Sequence, residues 1–188
     1  MTWPFGDLPM FGFDFVMVDP PWRFETWSNE GKEKSADAHY GTMGLNEIAA
    51  LPIGHLGSKD CVYWIWATHP MLPQQIGILP ALGLTYVTSG VWVKRTVKGK
   101  LAFGTGYRLR CASEPFLIAT NGRPDTVPTV RTVIEGPIRE HSRKPDEAYI
   151  EAERMMPRAR RADLFSRQTR PGWSAWGNEA GKFDRVAA

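Results

Sequence analysis

A carboxylate, two prolines and an indole stand together at Asp19-Pro20-Pro21-Trp22, a combination suited to handling an aromatic amine. The 6-amino nitrogen of adenine is a poor nucleophile because its lone pair is delocalised into the ring, so an enzyme that methylates it must hold it in line with the electrophile. An Asp carboxylate and an adjacent proline carbonyl offer two acceptors for the two N–H bonds, which favours a pyramidal and more nucleophilic nitrogen. Proline's ring fixes where its carbonyl points, and Trp22 offers a face on which a base can stack. The plain alternative is that Pro-Pro merely ends a strand and Trp22 merely fills a core.

Local structure puts this tetrapeptide where a ligand would bind. Phe13 to Val18 is a β-prone run that stops at Asp19 because the two prolines cannot donate ladder hydrogen bonds. Asp19 thus falls at a strand's carboxyl end, the edge that binds ligands in open α/β sheets. Glu25 to His39 is polar and aperiodic and reads as a mobile loop on that edge. Cys61 to Trp66, apolar on both faces, reads as a central parallel strand, and Thr68-His69-Pro70 opens a helix running to about Leu82 and ended by Gly83.

Thr85 to Val93 is a third strand and Glu114 to Ala119 a fourth, closed by the turn pair Asn121-Gly122. A basic, glycine-containing loop, Lys94 to Arg110, joins them. Pro145-Asp146-Glu147 starts a helix, with its acids at the positive dipole end, Ala148, Ile150, Ala152 and Met155 along one side, and a stop before Pro157. Arg161 to Phe165 and Trp173 to Trp176 read as the last strands. Alternating strands and helices imply an α/β sheet with a parallel core.

The chain has 188 residues with 43% apolar content and eight tryptophans, enough for one compact domain with a substantial core. No apolar stretch approaches the roughly 20 residues of a membrane span, and Met1-Thr2-Trp3-Pro4 lacks the pattern of a signal peptide, so a soluble, cytoplasmic protein is expected. Cys61 and Cys111 lack Cys-x-x-Cys spacing, and the four histidines show no ligand spacing, so no metal is expected. Net charge is only +3, yet Lys94, Arg95, Lys98, Lys100, Arg108 and Arg110 crowd one segment and Arg154, Arg158, Arg160, Arg161, Arg167 and Arg170 another. Such clusters serve either a polyanionic partner or simple solvation.

The tetrapeptide and the segments that follow it resemble the MT-A70 family of S-adenosylmethionine-dependent adenine N(6)-methyltransferases. Tyr40-Gly41-Thr42-Met43, Trp66-Ala67-Thr68, Val91-Trp92-Val93-Lys94, His141 to Glu147, Asp163 to Arg167, and Arg170-Pro171-Gly172-Trp173 through Glu179 match in order. The resemblance implies a Rossmann-like methyltransferase fold, α/β, with a mostly parallel central sheet and helices on both faces. The reactive signature comes first and the cofactor strand last, as in the circularly permuted, β-type amino methyltransferases.

It further implies S-adenosylmethionine as cofactor and S-adenosylhomocysteine as product. Asp19, Pro20, Pro21 and Trp22 would form the reactive centre, with Asp7 and Leu8 on the cofactor's adenine, or else in a plain N-terminal loop. Lys144 would bind the methionine carboxylate and Asp163 the ammonium group, with Phe165 beside it; Arg167, Asn178 and Glu179 would serve ribose and adenine. Ser166 stands where many methyltransferases have glycine. Tyr40, Trp66, Lys94, Arg95, Tyr107, Arg108 and Arg110 are the candidates for substrate contact.

Without a separate target-recognition domain, low sequence specificity, recognition by the basic loops, a homodimer or a partner subunit is expected. Adenine in DNA, in a bacterial or phage setting, is the first expectation, with RNA or a free nucleotide behind it. The rivals are a catalytically silent nucleic-acid-binding subunit and a methyltransferase for the 4-amino group of cytosine.

Overall fold

A computed structural model of the chain describes residues 2–23, 41–106, 108–140 and 143–184. Seven strands form one sheet in the order β5-β3-β4-β2-β1-β6-β7. They are β1 (Phe13–Val18), β2 (Gly57–Trp66), β3 (Thr85–Arg95), β4 (Ser113–Asn121), β5 (Val133–Pro137), β6 (Arg161–Leu164) and β7 (Trp173–Trp176). β1 runs parallel to β2 and β6, β6 parallel to β7, and β3 parallel to β5. β4 alone is reversed, antiparallel to both β2 and β3. From β1 the chain proceeds to β2 on one side, and from β6 to β7 on the other. The β1/β6 boundary is therefore the topological switch point, where an open α/β sheet leaves a crevice at its carboxyl edge.

Side-chain alternation gives the sheet two apolar faces. On the first, Val16, Val18, Tyr63, Ile65, Leu117 and Ala119 pack with Ile48 of helix α1 (Leu45–Ala49) and with Leu79 and Leu82 beside helix α2 (Leu72–Gly77). On the second, Phe15, Met17, Trp64, Trp66, Trp92 and Phe116 pack with Ala148, Tyr149 and Ala152 of helix α3 (Asp146–Met155). Helices thus cover both faces. Trp64 and Phe116 stack across β2 and β4 with centroids 3.9 Å apart, an aromatic pair that adds to the burial of two large rings.

The observed elements differ from the expected ones where proline or length intervenes. The stretch from His69 to Leu82 is a 3₁₀ turn, the short α2 and a second 3₁₀ turn, because Pro73 and Pro80 each lack the N–H that a continuous helix needs. Gly83 ends it in the left-handed region, φ 74°. The buried side of α3 carries Tyr149, and Ile150 faces solvent. β5 and α1 carry no sequence signal strong enough to have predicted them. Lys94 and Arg95, expected in a loop, close strand β3.

Gly90 marks the tightest contact between β3 and its neighbours. A Cβ there would lie 2.3 Å from the Phe116 ring and 2.5 Å from the Thr132 carbonyl oxygen. Gly90→Ala should therefore destabilise the fold by about 1–3 kcal/mol, the usual cost of forcing an extra methyl into a packed interior. Urea titration of both proteins checks this, and an unchanged midpoint would refute the crowding.

Candidate active site

The turn after β1 is fixed at every residue. The Asp19 N–H donates to the Leu164 carbonyl, 3.1 Å away, which latches the end of β1 to the end of β6. The Trp22 N–H closes a tight turn onto the Pro20 carbonyl at 2.8 Å, and the Pro21 carbonyl accepts the Met43 N–H at 2.8 Å. The Trp22 indole N–H donates to the Trp66 carbonyl at 2.8 Å, and the Trp22 ring is only 6% exposed. Sequence reasoning offers this ring as a stacking face; here it braces the turn against the end of β2. Trp66, expected to touch substrate, has its ring in the second core layer and meets the turn through its carbonyl. Neither ring presents an open face.

Charged side chains converge at the same edge. The Lys144 Nζ lies 2.7 Å from Asp19 Oδ2 and 3.1 Å from Glu114 Oε1, and Lys94 Nζ lies 2.8 Å from Glu114 Oε2. The result is a chain Asp19–Lys144–Glu114–Lys94, with the Lys144 ammonium also 5.4 Å from the centre of the Trp66 ring. Burial favours the neutral amine of Lys144, but the two carboxylates outweigh it and hold its pKa above the ordinary lysine value. Burial likewise opposes the charge on Glu114, but Lys144 and Lys94 outweigh it and keep its carboxyl below the usual range. For Asp19 burial dominates and pushes its pKa up, with Lys144 opposing.

A second acidic centre stands at the end of β6. Asp163 is buried, and its Oδ2 accepts hydrogen bonds from the Tyr149 and Ser166 hydroxyls, both at 2.9 Å. Burial pushes its pKa up to about 7, against those two hydrogen bonds and with help from the Asp19 charge. The Arg170 guanidinium covers the Tyr149 ring at 3.7 Å and pairs with Asp146 at 2.7 Å. Phe165 follows in the left-handed region at φ 60° and meets Trp176 edge-on. A small depression at the switch point is lined by Asp19, Lys144, Asp163, Phe165, Ser166 and Arg167.

The remaining candidates divide in two. Asp7 is exposed and Leu8 half-buried, and their segment reaches the same edge through Phe5, whose ring meets Trp176 at 5.0 Å. Arg167 pairs with Glu179 at 3.1 Å, and Asn178 is exposed beside it. The second basic cluster is dispersed: Arg154 pairs with Glu151 and Arg170 with Asp146, while Arg160 pairs with Asp14 at the opposite edge of the sheet. In the first cluster Lys94 and Arg95 pair with Glu114 and Glu135, whereas Arg108 and Arg110 are exposed. Tyr40, Tyr107, His141 and the stretch from Glu25 to His39 lie outside the described residues.

A family model described as MT-A70 matches residues 13–179. The chain belongs to the MT-A70 family. It is 33% identical over 89% of its length to an Arabidopsis thaliana protein named N(6)-adenosine-methyltransferase MT-A70-like. It is 26% identical over 93% of its length to mouse N(6)-adenine-specific methyltransferase METTL4, and 26% identical over 93% to the type II methyltransferase M.MunI of Mycoplasma. The chain spans 24% of the Arabidopsis protein, 39% of METTL4 and 81% of M.MunI. The seven-stranded mixed sheet with helices on both faces is the α/β methyltransferase fold of the MT-A70 family.

Around this crevice, sequence reasoning missed Glu114, Tyr149 and Arg170. Glu114 left a trace, an acid at the mouth of the apolar strand Phe116–Ala119, since a carboxylate entering a core needs a partner. Among the described residues no group of His, Cys, Asp and Glu is arranged to hold a metal ion, and no helix is long and apolar enough to cross a membrane.

The Asp163 carboxyl makes stability pH-dependent. An ordinary Asp titrates near 3.8 and this one at about 7, so between those values the folded protein keeps a proton that the unfolded chain has lost. Stability contributed by this group falls as pH rises through that window, by at most roughly 1.4 kcal/mol per pH unit, and levels off above it. Asp163→Asn should flatten this fall. Denaturant unfolding of both proteins across the window reads it out, and parallel curves would refute the assignment.

Proposed function

We propose that this protein transfers the methyl group of S-adenosylmethionine to the exocyclic 6-amino group of adenine in nucleic acid, DNA before RNA, in the cytoplasm of a bacterial or phage-infected cell. The observation that carries this reading is the juxtaposition, at the switch point, of Asp19 on its pinned proline turn with the depression reaching Asp163. Membership of the MT-A70 family supports it, as do relatives named for adenine N(6) methylation.

The residues present fit the cofactor. Asp163, buried with the Tyr149 and Ser166 hydroxyls on its carboxyl, suits the ammonium group, and Lys144 at the mouth beside Asp19 suits the carboxylate. Asn178 and Glu179 offer acceptors for ribose hydroxyls, with Asp7 and Leu8 on the adenine side. When bound, the cofactor supplies a methyl group activated by a positively charged sulfur.

Asp19 then has two tasks. Its Oδ2 is held by Lys144, and its other oxygen would accept one N–H of the adenine amine while the Pro20 carbonyl accepts the second. That carbonyl already takes the Trp22 N–H and has a further lone pair. With the cofactor bound, its methyl group would pass from sulfur to the adenine nitrogen, the S–C bond breaking as the N–C bond formed, and the nitrogen would give up one proton. Asp19, whose proton affinity is raised by burial, receives it. Lys144, besides facing the cofactor carboxylate, keeps the Asp19 carboxylate aimed, and Glu114 acts through Lys144 as a positioning residue.

DNA as the polymer is supported by the match over most of M.MunI, and RNA is the second reading because a Cryphonectria parasitica relative is named an N6-methyladenosine RNA methyltransferase. Transfer of labelled methyl to single-stranded DNA, duplex DNA, RNA and free nucleotides, followed by nucleoside analysis, should yield 6-methyladenine in DNA first. Asp19→Asn should lower the rate by about two to three orders of magnitude, as loss of a transition-state hydrogen-bonding group does, with S-adenosylmethionine affinity little changed. A folded, cofactor-binding protein that makes no 6-methyladenine on any substrate would overturn the reading.

A further inference from the structure

Lys94 and Glu114, joined by their ion pair, bracket a two-lobed arm that projects from the carboxyl edge. The first lobe turns at Gly99, with the Thr96 N–H on the Lys100 carbonyl and the Ala102 N–H on the Lys94 carbonyl, each at 2.8 Å. The second closes through the Gly104 N–H on the Cys111 carbonyl at 2.9 Å and the Cys111 N–H on the Thr105 carbonyl at 3.0 Å. Gly104 permits this closure, since a Cβ there would sit 2.5 Å from the Cys111 oxygen.

The arm's surface is unusual in two ways. Between Thr96 and Ala112 the sequence holds Lys98, Lys100, Arg108 and Arg110 and no acid. In the same stretch Phe103 is 81% exposed, with the Arg110 guanidinium 5.3 Å from its ring centre, and Val97, Leu101 and Leu109 are exposed as well. An exposed aromatic ring beside a guanidinium, on a basic segment, is an arrangement that holds single-stranded nucleic acid, the ring stacking a base and the cations meeting phosphates. Through Glu114 and Lys144 the arm's base is linked to Asp19 by contacts of 2.8, 3.1 and 2.7 Å, so a strand lying along the arm passes beside the reactive centre.

We infer that this arm binds the single-stranded polynucleotide flanking the target adenine, with Phe103 stacking a neighbouring base and Arg110 contacting the phosphate beside it. The inference rests on the methyltransferase reading for the identity of the target base, and on the arm's own chemistry for the strand.

The test is fluorescence anisotropy of a labelled, adenine-containing single-stranded oligodeoxynucleotide with the full chain at several salt concentrations. Phe103→Ala should weaken binding about tenfold and Phe103→Trp should restore it. Arg110→Ala should lower the slope of log affinity against log salt by about 0.7, the value for one phosphate contact on a single strand. All three substitutions are at exposed residues, so thermal unfolding should be unchanged. Wild-type affinity in Phe103→Ala would overturn the inference, and so would self-association of the wild type that Phe103→Ala abolishes in sedimentation, which would make the arm a protein interface. Binding is read without methyl transfer. Phe103-dependent binding without 6-methyladenine therefore removes the reaction and keeps the arm, and methylation with Phe103-independent binding does the reverse.

Discussion

A single ammonium group, that of Lys144, holds the carboxyl edge of the sheet together. It comes from the entry to α3 and meets Asp19 at the end of β1 and Glu114 at the start of β4, with Lys94 at the end of β3 completing the chain. Segments far apart in sequence are thereby registered against one another at one place. Taking these charges out of water is expensive, and the expense is offset only while each has its partner. Removing Lys144 would leave two carboxylates close together with half of their compensation gone. The Trp66 ring beneath the ammonium, itself fixed by β2 and the second core layer, adds a face that attracts a cation.

This registration matters because of how the chain is threaded. β1 and β6 are adjacent in the sheet although nearly the whole sequence separates them. One carboxylate of the crevice, Asp19, follows the first strand of the chain, and the other, Asp163, lies on the sixth. Asp19 and Asp163 are near enough for the charge on Asp19 to raise the proton affinity of Asp163. Each acid is given a different environment: an ammonium for Asp19, and two hydroxyl donors at a buried position for Asp163. Two acids whose surroundings differ in this way can take two roles in one crevice.

Much of this was legible along the sequence, for identifiable reasons. β1 and β7 have the expected bounds because each is an apolar run stopped by a breaker, Pro20 in one case and Gly177 in the other. The expected long helix broke up because Pro73 and Pro80 act within it, and β5 was hidden because Gly136 and Pro137 dilute a five-residue strand. Side-chain direction was the harder part. Tyr149 and Ile150 are adjacent, and only the packed fold decides that the tyrosine faces Asp163. Trp22 has both an aromatic face and a donor, and the Trp66 carbonyl decided in favour of the donor. Glu114 became a site residue only when β4 was inserted, reversed, between β2 and β3.

The distribution of charge follows from the same arrangement. Asp19, Lys144, Glu114 and Lys94 contain two acids and two bases, so the buried chain is internally balanced and sends little field outward. Arg95, Arg160, Arg167 and Arg170 are each neutralised by a nearby carboxylate. Between Thr96 and Ala112, the arm after β3 holds four cations and no acid of its own. A polyanion would therefore be drawn toward the arm rather than toward the balanced cluster at the switch point. The cluster at the switch point is balanced because Lys144 and Lys94 each meet a carboxylate there, so the excess of positive charge in this part of the sequence is left to the arm.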